Sequence, residues 1–221
     1  MAMRSYLLIF LALAMLFMLG GCALPDKPSR TTLYDFGSGA QVPASDLRRA
    51  SLSSSLRPLA IDDIATSGGA LDNMAVHYRL DYFNAQQLRA YAQARWSMPP
   101  AQLVRQRLRE QLGQRRAVFN AKDGMALNRG PDAVMPLLLK LELLEFSQIF
   151  STPTASMGLI RMRATLAEIT PAGDRLLAQR SVLVQRPAPS ADASGGVLAL
   201  TAATDAAIED IEQWLQQAPA R

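Results

Sequence analysis

The sequence predicts an α+β fold: a two-layer sandwich with a mostly antiparallel sheet and helices packed on one face. Three observations predict it. Apolar and polar residues alternate through residues 137–143, 156–169 and 175–185, the period of strands with one dry face. Over residues 99–113 and 197–217 the apolar residues recur at helical spacing instead. Strands and helices come in groups rather than alternating one for one, the order of an α+β chain.

The N-terminus sets the compartment. Arg4 precedes an unbroken apolar run of thirteen residues, 7–19, the length of a signal-peptide core and too short to span a bilayer. Leu19-Gly20-Gly21-Cys22 follows. This reads as a lipobox, in which the Cys22 thiol takes a diacylglyceryl group and the chain is cut between Gly21 and Cys22. Residues 1–21 are therefore a removed signal peptide. Residues 22–32, with two prolines and little apolar surface, are a lipidated tether. One domain over 33–217 and a tail over 218–221 complete the chain. Ala23 is not the aspartate that retains lipoproteins in the inner membrane where sorting is read at that position. The expected location is the periplasmic face of the outer membrane, with the membrane reached through the lipid.

Composition excludes several functions. Cys22 is the only cysteine and His77 the only histidine, so no internal disulfide and no Cys/His metal site is expected. No metal, cofactor or catalytic residue is predicted. Removing Arg4 with the signal lowers the formal net charge from +4 to +3, too small and scattered an excess for nucleic acid.

In chain order, Thr32-Leu33-Tyr34-Asp35-Phe36-Gly37 is a short strand ending at glycine, and residues 37–56 form a loop. Residues 59–64 are a second strand. Residues 74–84 alternate, with Val76, Tyr78, Leu80 and Tyr82 on one face and His77, Arg79 and Asp81 on the other. Residues 86–96 are predicted to be helical. Pro99-Pro100 opens a second helix ending near Gly113. Its Leu103, Val104, Leu108 and Leu112 face inward, while Arg105, Arg107, Arg109 and Glu110 face out. A short strand at 117–121, a loop at 123–131 and the three alternating runs follow, with a turn at Pro171-Ala172-Gly173-Asp174. Residues 187–196 are a linker. The last helix carries Leu200, Thr204, Ala207, Ile208, Ile211, Trp214 and Leu215 on one stripe. Asp205, Glu209, Asp210 and Glu212 lie opposite.

The lipobox, Thr32-Leu33-Tyr34-Asp35-Phe36-Gly37, Tyr78-Arg79-Leu80-Asp81-Tyr82, Leu88-Arg89-Ala90-Tyr91-Ala92, Arg95-Trp96 and Pro99-Pro100 stand in an order and spacing that resembles the ABC-type transport auxiliary lipoprotein family. The paraquat-inducible protein C lipoproteins belong to it. The resemblance implies an accessory docking or channel subunit that moves lipids between the inner and outer membranes. An MCE-domain protein and an ABC transporter are the implied partners, and a homo-oligomeric ring the implied assembly. The alternative, from another class, is a regulatory outer-membrane lipoprotein that binds a cell-wall synthase or an envelope assembly factor.

Arg95, Trp96, Arg105 and Arg109 are the candidate partner interface. Trp96 and Arg95 also fit a structural role, an indole closing the core with a guanidinium capping nearby. Arg105, Arg107, Arg109, Arg115 and Arg116 also fit a solvated face. His77 and Asp81 invite a catalytic reading, but lie about 13 Å apart on a regular strand. No Gly-x-Ser-x-Gly elbow appears. The chain is read as having no chemistry of its own.

Overall fold

In the computed structural model, residues 30–38, 56–121, 135–170 and 172–218 are described. The signal peptide, Gly21, Cys22, the loop expected over 123–131 and all but the ends of the one expected over 37–56 lie outside them. Residues Thr31–Arg221 cluster as one compact unit.

The sheet is assembled on β7, Leu137–Thr152. One edge pairs antiparallel with β8, Ala155–Thr170, which pairs antiparallel with β9, Gly173–Pro187. The turns at 153–154 and near Gly173 are short enough to allow no other direction. The opposite edge of β7 is filled by three short strands laid end to end. β2, Leu59–Ile61, faces Leu137–Leu139. β3, Ala65–Thr66, faces Glu142 and Leu143. β4, Ala75–Leu80, faces Gln148–Phe150 through Tyr78, Arg79 and Leu80. All three run parallel to β7. β6, Val118–Asn120, adds parallel to β2; β5, Ala85–Trp96, adds antiparallel to β4; and β1, Thr32–Tyr34, adds parallel to β5.

The sheet is thus mixed, and the expected mostly antiparallel arrangement is corrected: among the described residues, five of eight strand pairings are parallel. Period-two alternation reports which face a residue takes. It carries no sign for the direction of the neighbour.

Two other expectations change. Residues 86–96 are strand β5, not helix. Alanine, glutamine and arginine favour a helix, but β4 and β1 offer backbone partners on both edges and override that preference. The strand predicted over 74–84 stops at Leu80, and a single helical turn, α1 (Asp81–Asn84), reverses the chain into β5.

Helix α2, Pro100–Gly113, begins at its proline as predicted. Helix α3, Ala193–Gln217, starts four residues earlier than its apolar stripe suggests. Asp192 caps it, accepting from the Gly195 amide at 2.8 Å. α3 lies against β8, β9 and β7 and touches α2. One cluster joins the inward residues of the strands, such as Leu139 and Ile160, to Leu108 of α2 and Leu200 of α3.

The register of β7 shifts between Leu143 and Glu145. The extra residue changes which parity faces inward. Leu139, Leu141 and Leu143 point into the core before it, and Phe146 after it. Without it, Glu145 and Ser147 would take the inward places. Trp96 is fully buried, with its ring 5.7 Å edge-on from Phe36 and 5.6 Å from Phe146. Trp214, expected within the core stripe, is only partly buried at the cluster's margin.

The start of α3 lies directly on the sheet. A Cβ at Gly158 of β8 would stand 2.5 Å from the backbone of Ala199 and Leu200, so only glycine fits. Gln148 is fully buried beside Gly196. It accepts from the Tyr91 hydroxyl at 2.8 Å and donates to Ser156 Oγ at 2.7 Å. The buried amide is thereby satisfied on both sides.

Trp96→Ala is expected to destabilise the domain by about 3–5 kcal/mol, because a fully buried indole leaves a cavity. Trp214→Ala should cost clearly less. Urea unfolding of the two variants checks the order, and equal midpoints would contradict the burial difference.

Candidate docking surface

The predicted interface residues do not form one surface. Trp96 is core. Arg95 is half-buried, its Nη1 donating to the carbonyls of Tyr91 at 2.5 Å and Ala94 at 2.8 Å, so its structural role is the one realised. Trp96 in an exposed anchor role is thereby corrected: the strand β5 that carries it turns its ring inward against Phe36 and Phe146.

Arg105 and Arg109 stand together on the outward side of α2. Arg105 pairs with Asp63, two residues past β2, and Arg109 donates to Asn120 of β6. Shallow clefts flank this helix face: one lined by Met98, Gln102, Arg109 and Asn120, another by Asp63, Asp72, Gln102 and Arg105. A further cleft, between Phe36, Met98 and Leu103, carries Asp35 and Glu110 at its rim. The helix positions the two guanidiniums one turn apart, and each is steadied from the sheet side.

Arg107, expected on the same outer face, is 9 % exposed. Its Nε and Nη2 hold both oxygens of Asp205 at 2.7 and 3.0 Å, and Gln111 Nε2 donates to the same carboxylate at 2.7 Å. This forked pair joins α2 to α3. Its hydrogen bond with Asp205 raises the Arg107 pKa further above its ordinary value.

Arg116 and Glu212 also depart from the solvated-face expectation. They are 5 % and 7 % exposed. Arg116 Nε and Nη2 and Glu212 Oε1 are buried without hydrogen-bond partners, and Arg115 Nη1 lies 3.4 Å from Glu212 Oε1. Desolvation lowers the Arg116 pKa, and the charge of Glu212 opposes that shift. The Arg107–Asp205 contact ties α2 to α3, and Arg115, just past the end of α2, reaches Glu212 further along α3.

A second polar group lies on the sheet face away from the helices. Arg79 grips Glu145 at 3.2 and 3.3 Å, and Ser147 Oγ donates to Glu145 Oε1 at 2.6 Å. His77, expected on an exposed strand face, is 8 % exposed. Its pKa is lowered chiefly by burial, with Glu145 opposing and Arg79 and Arg95 reinforcing the shift. The serine proton is committed to Glu145, whose oxygens are both committed to Arg79. Asp81 lies past the strand, in α1. Glu145 and Ser147 carried no sequence signal, because the bulge that turns them to this face is invisible in the alternation.

Among the described residues, no group of three or more His, Cys, Asp or Glu side chains is arranged to hold a metal ion, and no helix is long and apolar enough to cross a membrane.

The family model for the ABC-type transport auxiliary lipoprotein component matches residues 66–212. The fold resembles a crystal structure of a Xanthomonas campestris protein, with a TM-score of 0.56 at 18% identity over 73% of this chain and 86% of that one. A crystal structure of an uncharacterised protein aligns with a TM-score of 0.54 at 14% identity, over 85% of this chain and 98% of the other. No curated protein matches the chain in sequence.

Two measurements follow. Arg107→Met should destabilise by about 1–3 kcal/mol, because it leaves Asp205 without its forked partner. Arg105→Glu with Arg109→Glu should stay within about 1 kcal/mol of wild type, as exposed pairs contribute little. Thermal melts separate them. The lowered His77 pKa means the unfolded chain binds the proton that the folded chain refuses. Stability should therefore fall as pH drops below about 6.5, and His77→Gln should remove that part of the dependence. Urea midpoints between neutral and mildly acidic pH check the slope.

Proposed function

Because the chain belongs to the ABC-type transport auxiliary lipoprotein family, we propose that it is a lipid-anchored accessory subunit of an MCE-type transport system, moving lipids between the inner and outer membranes. The observation that carries this reading is the family-model match over residues 66–212, which spans β4 to most of α3. The lipobox at Cys22 supplies the anchor. The protein acts by docking. The ATPase partner supplies the energy, and no residue of this chain carries out a reaction. It sits on the periplasmic face of the outer membrane, since Ala23 follows the acylated cysteine.

Arg105 and Arg109 on α2 are the polar contact offered to the MCE-domain partner. Both keep a neighbour on the sheet side while the helix face remains open to solvent. Such a contact is electrostatic and therefore weakened by salt.

Crosslinking in intact cells, followed by identification of the adduct, tests the reading. An MCE-domain protein or transporter subunit is expected. A cell-wall synthase in its place would replace the transport reading with the regulatory one. Arg105→Glu with Arg109→Glu should reduce co-purification of the partner while leaving the fold intact.

Cys22→Ser should abolish acylation, so that mass spectrometry finds no lipid on the N-terminus and the protein no longer fractionates with membranes. Several acyl chains at about 0.8 kcal/mol per buried methylene give lasting attachment. Wild-type protein without acyl mass would remove the anchoring premise, and wild-type protein banding with inner-membrane markers would remove the assigned location.

A further inference from the structure

The turn joining β4 to β5 exposes two aromatic side chains. Phe83 is 73 % exposed, more than any other large apolar residue of the described chain, and Tyr82 beside it is 48 % exposed. The turn is held firmly. Arg79 Nη1 donates to the carbonyls of Ala85 and Gln86, both at 3.3 Å, while the rest of its guanidinium grips Glu145. Asn84 Oδ1 accepts from the Gln86 amide at 3.1 Å. The Arg89 guanidinium lies over the Phe83 ring, 5.9 Å from its centroid. A braced turn that leaves a phenyl ring in water is a surface shaped for contact.

The same end of the sheet holds the β7–β8 turn, because Leu80 pairs with Phe150. That turn, residues 151–155, is fully exposed and uncharged. Asp81 is the only carboxylate in either turn. The opposite end of β7–β9 is charged instead, with Lys140 bound to Asp174 and Glu168 bound to Arg57 and Arg175. One end of the sheet is thus aromatic, with arginine and few acids, and the other is saline. Aromatic rings flanked by cations match the headgroup layer of a bilayer. The scarcity of carboxylates avoids repulsion from anionic lipid.

Chain direction points the start of β1 toward this end. β1 runs parallel to β5, with Thr32 opposite Ala94. β5 itself starts at the aromatic turn, at Ala85. Thr32 is therefore the end of β1 nearer that turn. Nine residues along β5 separate Ala94 from Ala85, about 30 Å at strand rise. Ten residues separate Cys22 from Thr32, a reach of at most about 35 Å.

We propose that the Tyr82–Phe83 turn is a second membrane contact, seated in the headgroup layer of the bilayer that holds the Cys22 lipid. It rests on the anchoring reading above. The tether is just long enough for the turn to touch that bilayer, so the domain stands on it with the charged end of the sheet away from the lipid.

Because an acylated Cys22 has no thiol, a Gln86→Cys variant carries a single free one beside the intact aromatic pair. The full-length protein, labelled there with an environment-sensitive nitrobenzoxadiazole dye, is reconstituted into phosphatidylethanolamine–phosphatidylglycerol vesicles with no other protein. A Gln106→Cys label on α2 serves as reference. The expected result is a blue shift and a severalfold loss of iodide quenching at position 86 but not at 106, reversed by adding Tyr82→Ser and Phe83→Ser. An acylated, vesicle-bound protein whose label at 86 is quenched as freely as at 106 overturns the proposal alone. So does protection that survives loss of the aromatic pair. Protein lacking acyl mass and left outside the vesicles overturns the anchoring reading and the proposal with it.

Discussion

Every strand of the sheet depends on pairing both edges of β7. Sixteen residues of extended backbone carry donors and acceptors on each side, and a buried strand cannot leave them unmet. One edge is met locally by β8 through a short turn. The other is met by three segments that lie far earlier in the chain and contribute two or three residue pairs each. None of these could persist alone. Each is held by its pairing with β7, which ties the N-terminal third of the domain to the C-terminal meander. Long-range pairing of this kind closes large loops before it is rewarded, and slows folding.

The ionic groups divide by the work they do. The forked Arg107–Asp205 pair sits between α2 and α3 with both carboxylate oxygens bonded, and it fixes the relation of the two helices. The Arg79–Glu145 pair stiffens one end of the sheet. Arg116 and Glu212 are different: buried charges of opposite sign with atoms left unsatisfied, the charge of Glu212 working against the desolvation of Arg116. The pairs on the exterior, such as Glu142 with Arg163 at 2.6 Å, hold strand neighbours in register at small energetic weight.

Much of this was legible in the residues. The alternation of Leu137, Leu139, Leu141 and Leu143, and of Ile160, Met162, Ala164 and Leu166, marks the buried face of the meander, and all eight are buried. Pro100 marks the start of α2. What escaped has a physical cause in each case. Residues 86–96 have helical composition, and only the neighbouring β4 and β1 make them a strand. The direction of β2, β3 and β4 along β7 depends on crossovers that no local pattern encodes. Arg107, Arg116, His77 and Glu212 read as solvent-facing because a polar side chain that folding buries looks the same in sequence as one left in water. Trp96 could be read both ways, and its contacts with Phe36 and Phe146 decide for the core.

The placement of β1 has a mechanical consequence. In a chain held by its N-terminus, load enters through the segment ahead of Thr32. β1 lies parallel to β5 with its first residue toward the aromatic end of the sheet. A pull from that side runs along the strand axis, and shears the pairings of Thr32, Leu33 and Tyr34 together instead of unzipping them one by one. Phe36, buried 5.7 Å from Trp96, lies just beyond as a stop. Force is thus met first by three residues and an aromatic lock at the sheet's margin, which can yield while the β7 scaffold stays whole.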